Sequence, residues 1–337
     1  MNYKKIIICM LVVSVGLCHA TEKNLNACQT KYISAGHAKI AVVGTGLVGS
    51  TVAYALMLKN VAAELILVDV NEQLCEGQVL DLSDALSFCY ASHVRKGTFT
   101  DAARADIIIL TAGVREKPGQ TRLDSIKTNL LILKSIMQGL GFINPHAIIL
   151  VISNPVDVIT YFAQELSNLP KNQIFGSGTL LDTERLCGML SEKIIVSQQS
   201  IQAYILGEHG DSQFPAWSSA CIAGIPITSF TGMTQDSLDD IAQKAQIKGY
   251  EILKLKGATC YGIGACAADI CENIVFNQQR IMPVSSYINE LGICLSMPAV
   301  IGENGIENVL PIPLDESEKQ RLQKSAQTLR DVIDSLR

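Results

Sequence analysis

No block of lysines and arginines interrupts this 337-residue chain, whose formal net charge is −5. A nucleic-acid partner would need a basic footprint to meet its phosphates, so the expected partner is a small molecule. No C-x-x-C pair occurs among the eleven cysteines at 9, 18, 28, 75, 89, 187, 221, 260, 266, 271 and 294, and an odd number cannot all pair within one chain. They read instead as small buried apolar residues in a reducing compartment, and no metal site is expected. There is no internal repeat, low-complexity tract or Gly/Ser linker. With 48% hydrophobic and 18% charged residues, the chain exceeds the usual size of a single core, which implies two domains packed rigidly together.

Residues 1–36 form an extension of different texture. Lys4 and Lys5 precede the apolar run IIICMLVVSVGL, and Cys18, His19 and Ala20 follow it with the small residues that a signal peptidase reads. The run of twelve is too short for a helix that crosses a bilayer, so no stable membrane span is expected. Alone, the segment reads as a signal peptide. An arm that packs on a neighbouring subunit, or sequence upstream of the usual start, are competing readings. Eight cysteines beyond residue 36 weigh toward the cytoplasm, with export as the alternative.

From Lys39 the pattern becomes regular. KIAVVG is a short apolar strand, TGLVGSTVAYALML a helix and AELILVD a second strand, which together make a β-α-β unit. Strands follow within residues 105–113 and 146–155, with a helix over 122–140 between them. Near-continuous apolar strands alternating with helices imply a parallel sheet covered on both faces. The fold class expected is α/β, a Rossmann-type doubly wound parallel sheet over 37–177 followed by an α+β domain over 178–337. In the second half, helices are expected at about 180–190, along one long stretch from 237 to 276, and at 315–336. The segment GICLSMPAVIGENGIENVLPIPL reads as antiparallel strands.

Gly44, Gly46 and Gly49 form G-x-G-x-x-G between the first strand and its helix, where a tight turn and a bare helix N-terminus can hold a pyrophosphate. Asp69 closes the second strand twenty residues after Gly49, where a carboxylate can accept both ribose hydroxyls and repel a 2′-phosphate. NAD is therefore expected over NADP. A glycine turn with a capping aspartate is the bland reading, and the strand–helix–strand context disfavours it.

Residues suited to reducing a 2-oxo acid lie further along. His209, in GEHGDSQFP, can deliver a proton if a carboxylate raises its proton affinity, and Asp182, in LLDTERL, supplies one. Arg185, three residues on, shares the helical face of Asp182, and its planar fork suits a substrate carboxylate. Singly, each has a bland reading: a structural histidine, or a helical surface pair worth a few tenths of a kcal/mol.

The segments VVGTGLVGS, TAGVREKPGQTRLD, ISNPVDV, LLDTERL, GEHGDSQFPAWS and KGATCYGIG, in this order, resemble the lactate and malate dehydrogenase superfamily over about residues 38–336. The resemblance implies an NAD-dependent L-2-hydroxy acid dehydrogenase assembled as a homotetramer or dimer. It casts His209 as acid and base, Asp182 as the group that orients it, and Arg185 as the clamp on the substrate carboxylate. Arg122 would polarise the carbonyl, Asn154 would bond near nicotinamide and substrate, and Thr259 would line the pocket. Gly113, Pro118 and Gly119 would shape the hinges of a closing loop. At Glu116 the resemblance departs, because lactate dehydrogenases usually carry glutamine there and malate dehydrogenases arginine. An ionised Glu116 about 4 Å from a second substrate carboxylate would repel it by roughly 4 kcal/mol at an effective dielectric near 20, so oxaloacetate is disfavoured and pyruvate is the first choice. Glu116 would pair with Arg115 or Lys117, or favour a polar or cationic side chain on the 2-oxo acid. Relatives activated by fructose 1,6-bisphosphate usually place an arginine two residues after the clamp arginine and a histidine seven before the catalytic one. Here those positions hold Cys187 and Gln202.

Overall fold

A computed structural model of the chain describes residues 38–89, 93–114 and 122–337, without the side chains of 122 and 123. The extension over 1–36 and the loop residues 115–121, Glu116 among them, lie outside the described residues. The first half runs β1 (Lys39–Val43), α1 (Leu47–Leu58), β2 (Glu64–Val68), α2 (Glu72–Ala85), β3 (His93–Lys96), α3 (Phe99–Ala102), β4 (Ile107–Leu110), α4 (Arg122–Leu140), β5 (Ile148–Val151), α5 (Val156–Leu166) and β6 (Ile174–Gly176). The second half opens with α6 (Leu180–Ile194). Five two-residue strands follow: β7 (Ile201–Gln202), β8 (Ile205–Leu206), β9 (Phe214–Pro215), β10 (Cys221–Ile222) and β11 (Ile225–Pro226). It closes with α7 (Gln235–Lys256), α8 (Tyr261–Val275), β12 (Arg280–Ile288), β13 (Ile293–Gly302), β14 (Gly305–Val309) and α9 (Glu316–Asp334).

Strands β3-β2-β1-β4-β5-β6 lie side by side and run parallel. Their composition explains why. IAVV, LILV, IIIL and IILV carry apolar side chains at successive positions, and only a sheet covered on both faces buries them all. Alternate residues divide between two cores. Ala41, Val43, Ile108 and Leu110 face the side packed by α4, α5 and α9, whereas Ile40, Val42, Ile107 and Ile109 face the side packed by α1, α2 and α8. The strand order reverses between β1 and β4, so the carboxyl ends of these two strands open a crevice of the kind in which such sheets bind ligands.

The second half does not form a sheet apart. β12, β13 and β14 are antiparallel and continue the same nine-stranded sheet through the pairing of Ser285 with Gly176. α8 likewise crosses back onto α1 at Gly264, where a Cβ would stand 2.6 Å from Thr51 Cγ2. A third core gathers Leu186, Leu190, Ile201, Ile205, Leu238 and Ile241 among α6, β7, β8 and α7. Among the described residues no helix is long and apolar enough to cross a membrane.

One sequence expectation needs correction. The helical stretch from 237 to 276 is two helices, because Gly257 takes a left-handed φ of 78° and caps α7 with its N–H on the Leu253 carbonyl. The chain then turns through Ala258, Thr259 and Cys260 before α8 begins.

Candidate active site

The glycine turn and the second-strand aspartate meet at the crevice. Gly44 has φ +99°, and a side chain there would collide with the Ala112 backbone at 2.5 Å. Gly49 brings α1 so close that a Cβ would stand 1.9 Å from the Gly44 carbonyl oxygen. Gly46 differs from both, since a Cβ built there meets nothing within 4 Å. It caps α1, which has no side-chain cap and no acidic residue in its first turn. The position is open to a ligand, and the helix end presents its partial positive charge there. Asp69 Oδ2 accepts from the Thr45 N–H at 2.6 Å and Oδ1 from the Asn71 N–H at 2.8 Å, which fixes the carboxylate beside this turn. These residues fit a dinucleotide.

Across the molecule, α6 presents Asp182 and Arg185 one turn apart. Asp182 Oδ2 lies 2.6 Å from His209 Nδ1, and its Oδ1 accepts from Arg185 Nη1 at 2.9 Å. The carboxylate thus grips the imidazole with one oxygen and the guanidinium with the other. Side-chain exposures of 3% for Asp182 and 12% for Arg185 overturn the reading of a solvated surface pair. With Nδ1 engaged, His209 keeps Nε2 for a ligand, and 30% of its side chain remains exposed. Burial opposes charge on the ring, but the charge and hydrogen bond of Asp182, helped by Asp157, prevail over burial and Arg185, so the imidazole pKa is raised.

The loop that carries His209 is held at several points. Gly207, at φ +88°, exchanges backbone hydrogen bonds with Ser296 of β13 at 3.0 and 2.9 Å. The Glu208 N–H donates to Ser325 Oγ of α9 at 2.7 Å, and the Ser212 hydroxyl donates to Glu208 Oε2 at 2.6 Å. The His209 N–H donates to Asp157 Oδ2, in the first turn of α5, at 2.8 Å. Arg185 lies against Gly249 of α7, where a Cβ would come within 3.4 Å of Nη1, so a bare stretch of helix backs the guanidinium.

The family profile described as lactate/malate dehydrogenase, NAD binding domain, matches residues 38–176, and the one described as lactate/malate dehydrogenase, alpha/beta C-terminal domain, matches residues 179–337. The chain belongs to the lactate/malate dehydrogenase family. An L-lactate dehydrogenase A from Rhizopus oryzae is 46% identical over 296 residues, which cover 88% of this chain and 92% of its own length. An L-lactate dehydrogenase from Acetivibrio thermocellus is 41% identical over 307 residues, 88% of this chain and 97% of its own. Among solved structures, the minor L-lactate dehydrogenase from Enterococcus mundtii in a ligands-bound form superposes with a TM-score of 0.86 at 38% identity, covering 90% of this chain and 99% of that one. A lactate dehydrogenase enzyme from a Medee basin deep-sea metagenome library superposes with the same TM-score at 36% identity, covering 89% and 99%. The expected family, fold class and NAD-binding first half are borne out.

Within this dehydrogenase, His209, Asp182 and Arg185 are brought together. The other residues singled out in the sequence stand differently. Arg122 begins α4, but its side chain lies outside the described residues, as do Glu116, Pro118 and Gly119. Asn154 follows β5 with its side chain exposed, and its carbonyl accepts from Asn129 Nδ2 at 2.8 Å. Thr259 sits half-buried in the link between α7 and α8. Two residues escaped the sequence reading. Buried Asn129 also accepts from the Val114 N–H at 2.7 Å, which ties the root of the 115–121 loop to the Asn154 segment. Asp157 is the second; its signal was a lone charged residue within VDVITYF at the start of α5.

Proposed function

We propose that this chain is an NAD-dependent L-2-hydroxy acid dehydrogenase that interconverts pyruvate and L-lactate. The observation that carries the proposal is the double grip of Asp182 on His209 and Arg185, which sets an acid/base and a carboxylate clamp side by side. The relatives named for L-lactate support this substrate over malate, and so does Glu116, an acid where a second substrate carboxylate would need a cation.

The open Gly46, the bare N-terminus of α1 and Asp69 would hold NAD, Asp69 on the adenosine ribose. When bound, NAD supplies the hydride acceptor for the alcohol or, as NADH, the donor for the ketone. Arg185 turns the substrate by its carboxylate, using the N–H groups that Asp182 leaves free. His209 gives its Nε2 proton to the carbonyl oxygen of pyruvate and takes it back from the hydroxyl of lactate. Asp182 fixes the tautomer and stabilises the imidazolium. Arg122 polarises the carbonyl as negative charge grows on its oxygen, with Asn154 and Thr259 lining the pocket.

The same proposal includes a division near residues 177–178, a homo-oligomer, tetramer or dimer, and residence in the cytoplasm. Exposed Leu74, Leu80 and Phe88 along and just after α2, and Tyr250, Leu253 and Leu255 on α7, support association. Eight free cysteines support a reducing compartment.

The test is kcat/KM with NADH across pyruvate, oxaloacetate, 2-oxobutyrate, longer apolar 2-oxo acids and a cationic one. Pyruvate should lead, with oxaloacetate far behind. A different leader reassigns the substrate, and no turnover on any of them overturns the proposal.

A further inference from the structure

Asp157 is 1% exposed, yet it is not caged by donors as a structural carboxylate usually is. Oδ2 accepts the His209 N–H at 2.8 Å, and Oδ1 has no hydrogen-bond partner among the described residues. Thr160 shares its helical face, and the absent side chain of Gly176 would meet Thr160 Oγ1 at 2.6 Å and Ser285 Cβ at 3.2 Å, which places both hydroxyl residues around one point at Gly176. Neither the Thr160 nor the Ser285 hydroxyl makes a well-formed hydrogen bond. The donor that reaches Oδ2 is the backbone N–H of the histidine that carries the proton.

We propose that Asp157 is a second positioning carboxylate for His209: it fixes the loop through the backbone N–H and sets a buried negative charge near the ring that stabilises the imidazolium. The proposal rests on His209 being the acid and base of the reaction. Asp182 acts through the ring at Nδ1, and Asp157 acts through the backbone N–H. Burial pushes the Asp157 carboxyl up to about 6, against the Ser285 hydroxyl and the His209 N–H and ring, which favour its charged form. The other groups that bear on it are Glu208 on the same loop and Cys294 on β13, with Asp182 and Arg185 beyond the imidazole. A carboxyl whose folded pKa is raised contributes stability that is whole below the unfolded carboxyl pKa and is lost as pH rises through about 6, so the wild type sacrifices stability at neutral pH for this charge. A bland alternative is that Asp157 only complements the dipole at the start of α5.

Asp157→Asn separates the two roles. The inference expects three results together: His209 ring resonances titrate at lower pH, kcat for pyruvate reduction at pH 7 falls by roughly 10- to 100-fold, and Tm rises by more at pH 8 than at pH 5. A lower Tm at pH 8, or a His209 midpoint that stays put, overturns it in favour of the dipole role. Should the variant fail to fold, the wild-type His209 titration decides. A second inflection near pH 6 supports the coupling, and a single inflection removes it. Because the ring titration needs no substrate, a coupled His209 in a protein without turnover would refute the proposed activity and leave this inference standing.

Discussion

Asp182 is the side chain on which most depends, since a carboxylate with two oxygens serves two partners that must not drift apart. Asp182→Asn keeps the shape but offers an amide N–H to one of them. We expect kcat for pyruvate reduction to fall by about 10²-fold or more, and its alkaline limb to move to lower pH. The sign follows from the raised His209 pKa, whose main support Asp182 supplies. Stability belonging to that ion pair is complete below the unfolded histidine pKa and lost as pH rises through the folded one, so the variant should lose stability mainly in acid. Thermal melts at pH 5 and pH 9 check this. Arg185→Lys replaces the fork with a point charge and should lower kcat/KM by about 100-fold. At Glu116, Glu116→Gln should alter the ranking of 2-oxo acids toward the apolar ones. An unchanged ranking would leave Glu116 a solvated carboxylate with no part in specificity.

The turn between β1 and α1 offers a sharper contrast, because its glycines are glycine for different reasons. Gly46→Ala adds a methyl to open space at an ordinary negative φ, so the fold should be untouched. On the proposed NAD site that methyl would stand where the pyrophosphate approaches, and Kd for NADH should rise at least about tenfold, or 1.4 kcal/mol. Gly49→Ala drives a methyl into the Gly44 carbonyl and should cost the fold about 1–3 kcal/mol. Melting curves with and without NADH distinguish the two, and equal loss of stability in both would refute the assignment. This turn was legible in the sequence because its spacing is local and its flanking elements are strongly periodic. The break between α7 and α8 was not, since Gly257 stands in a pattern that reads as helical on both sides, and only its φ shows that it caps. Strands β7 to β11 left no readable pattern because two residues contain no period. β12 went unread because Ser285 and Ser286, both buried, break the apolar run that marks its neighbours.

Seen entire, the molecule is less divided than its sequence suggests. The pattern change after Ser177 is real in composition, but β6 hands the sheet on to β12, and α8 packs over the first-half strands, so the two halves share two cores. Such joining depends on contacts more than a hundred residues apart, which no local pattern encodes. Regulation by assembly, by contrast, can be judged from single positions. In relatives controlled by fructose 1,6-bisphosphate, a cation at each of two places receives a phosphate. Here Cys187 is 4% exposed, bonds toward the Ala203 carbonyl and has its thiol pKa pushed by burial up to about 12, so it offers neither charge nor access. Gln202, on β7, is neutral and accepts from the Cys221 thiol through Oε1. Two neutral groups cannot repay the desolvation of a bisphosphate. The pyruvate saturation curve should therefore be the same with and without millimolar fructose 1,6-bisphosphate, at enzyme concentrations on both sides of any dimer–tetramer equilibrium. A left shift at the lower concentration would mean that the phosphate finds its cations elsewhere on the assembled surface.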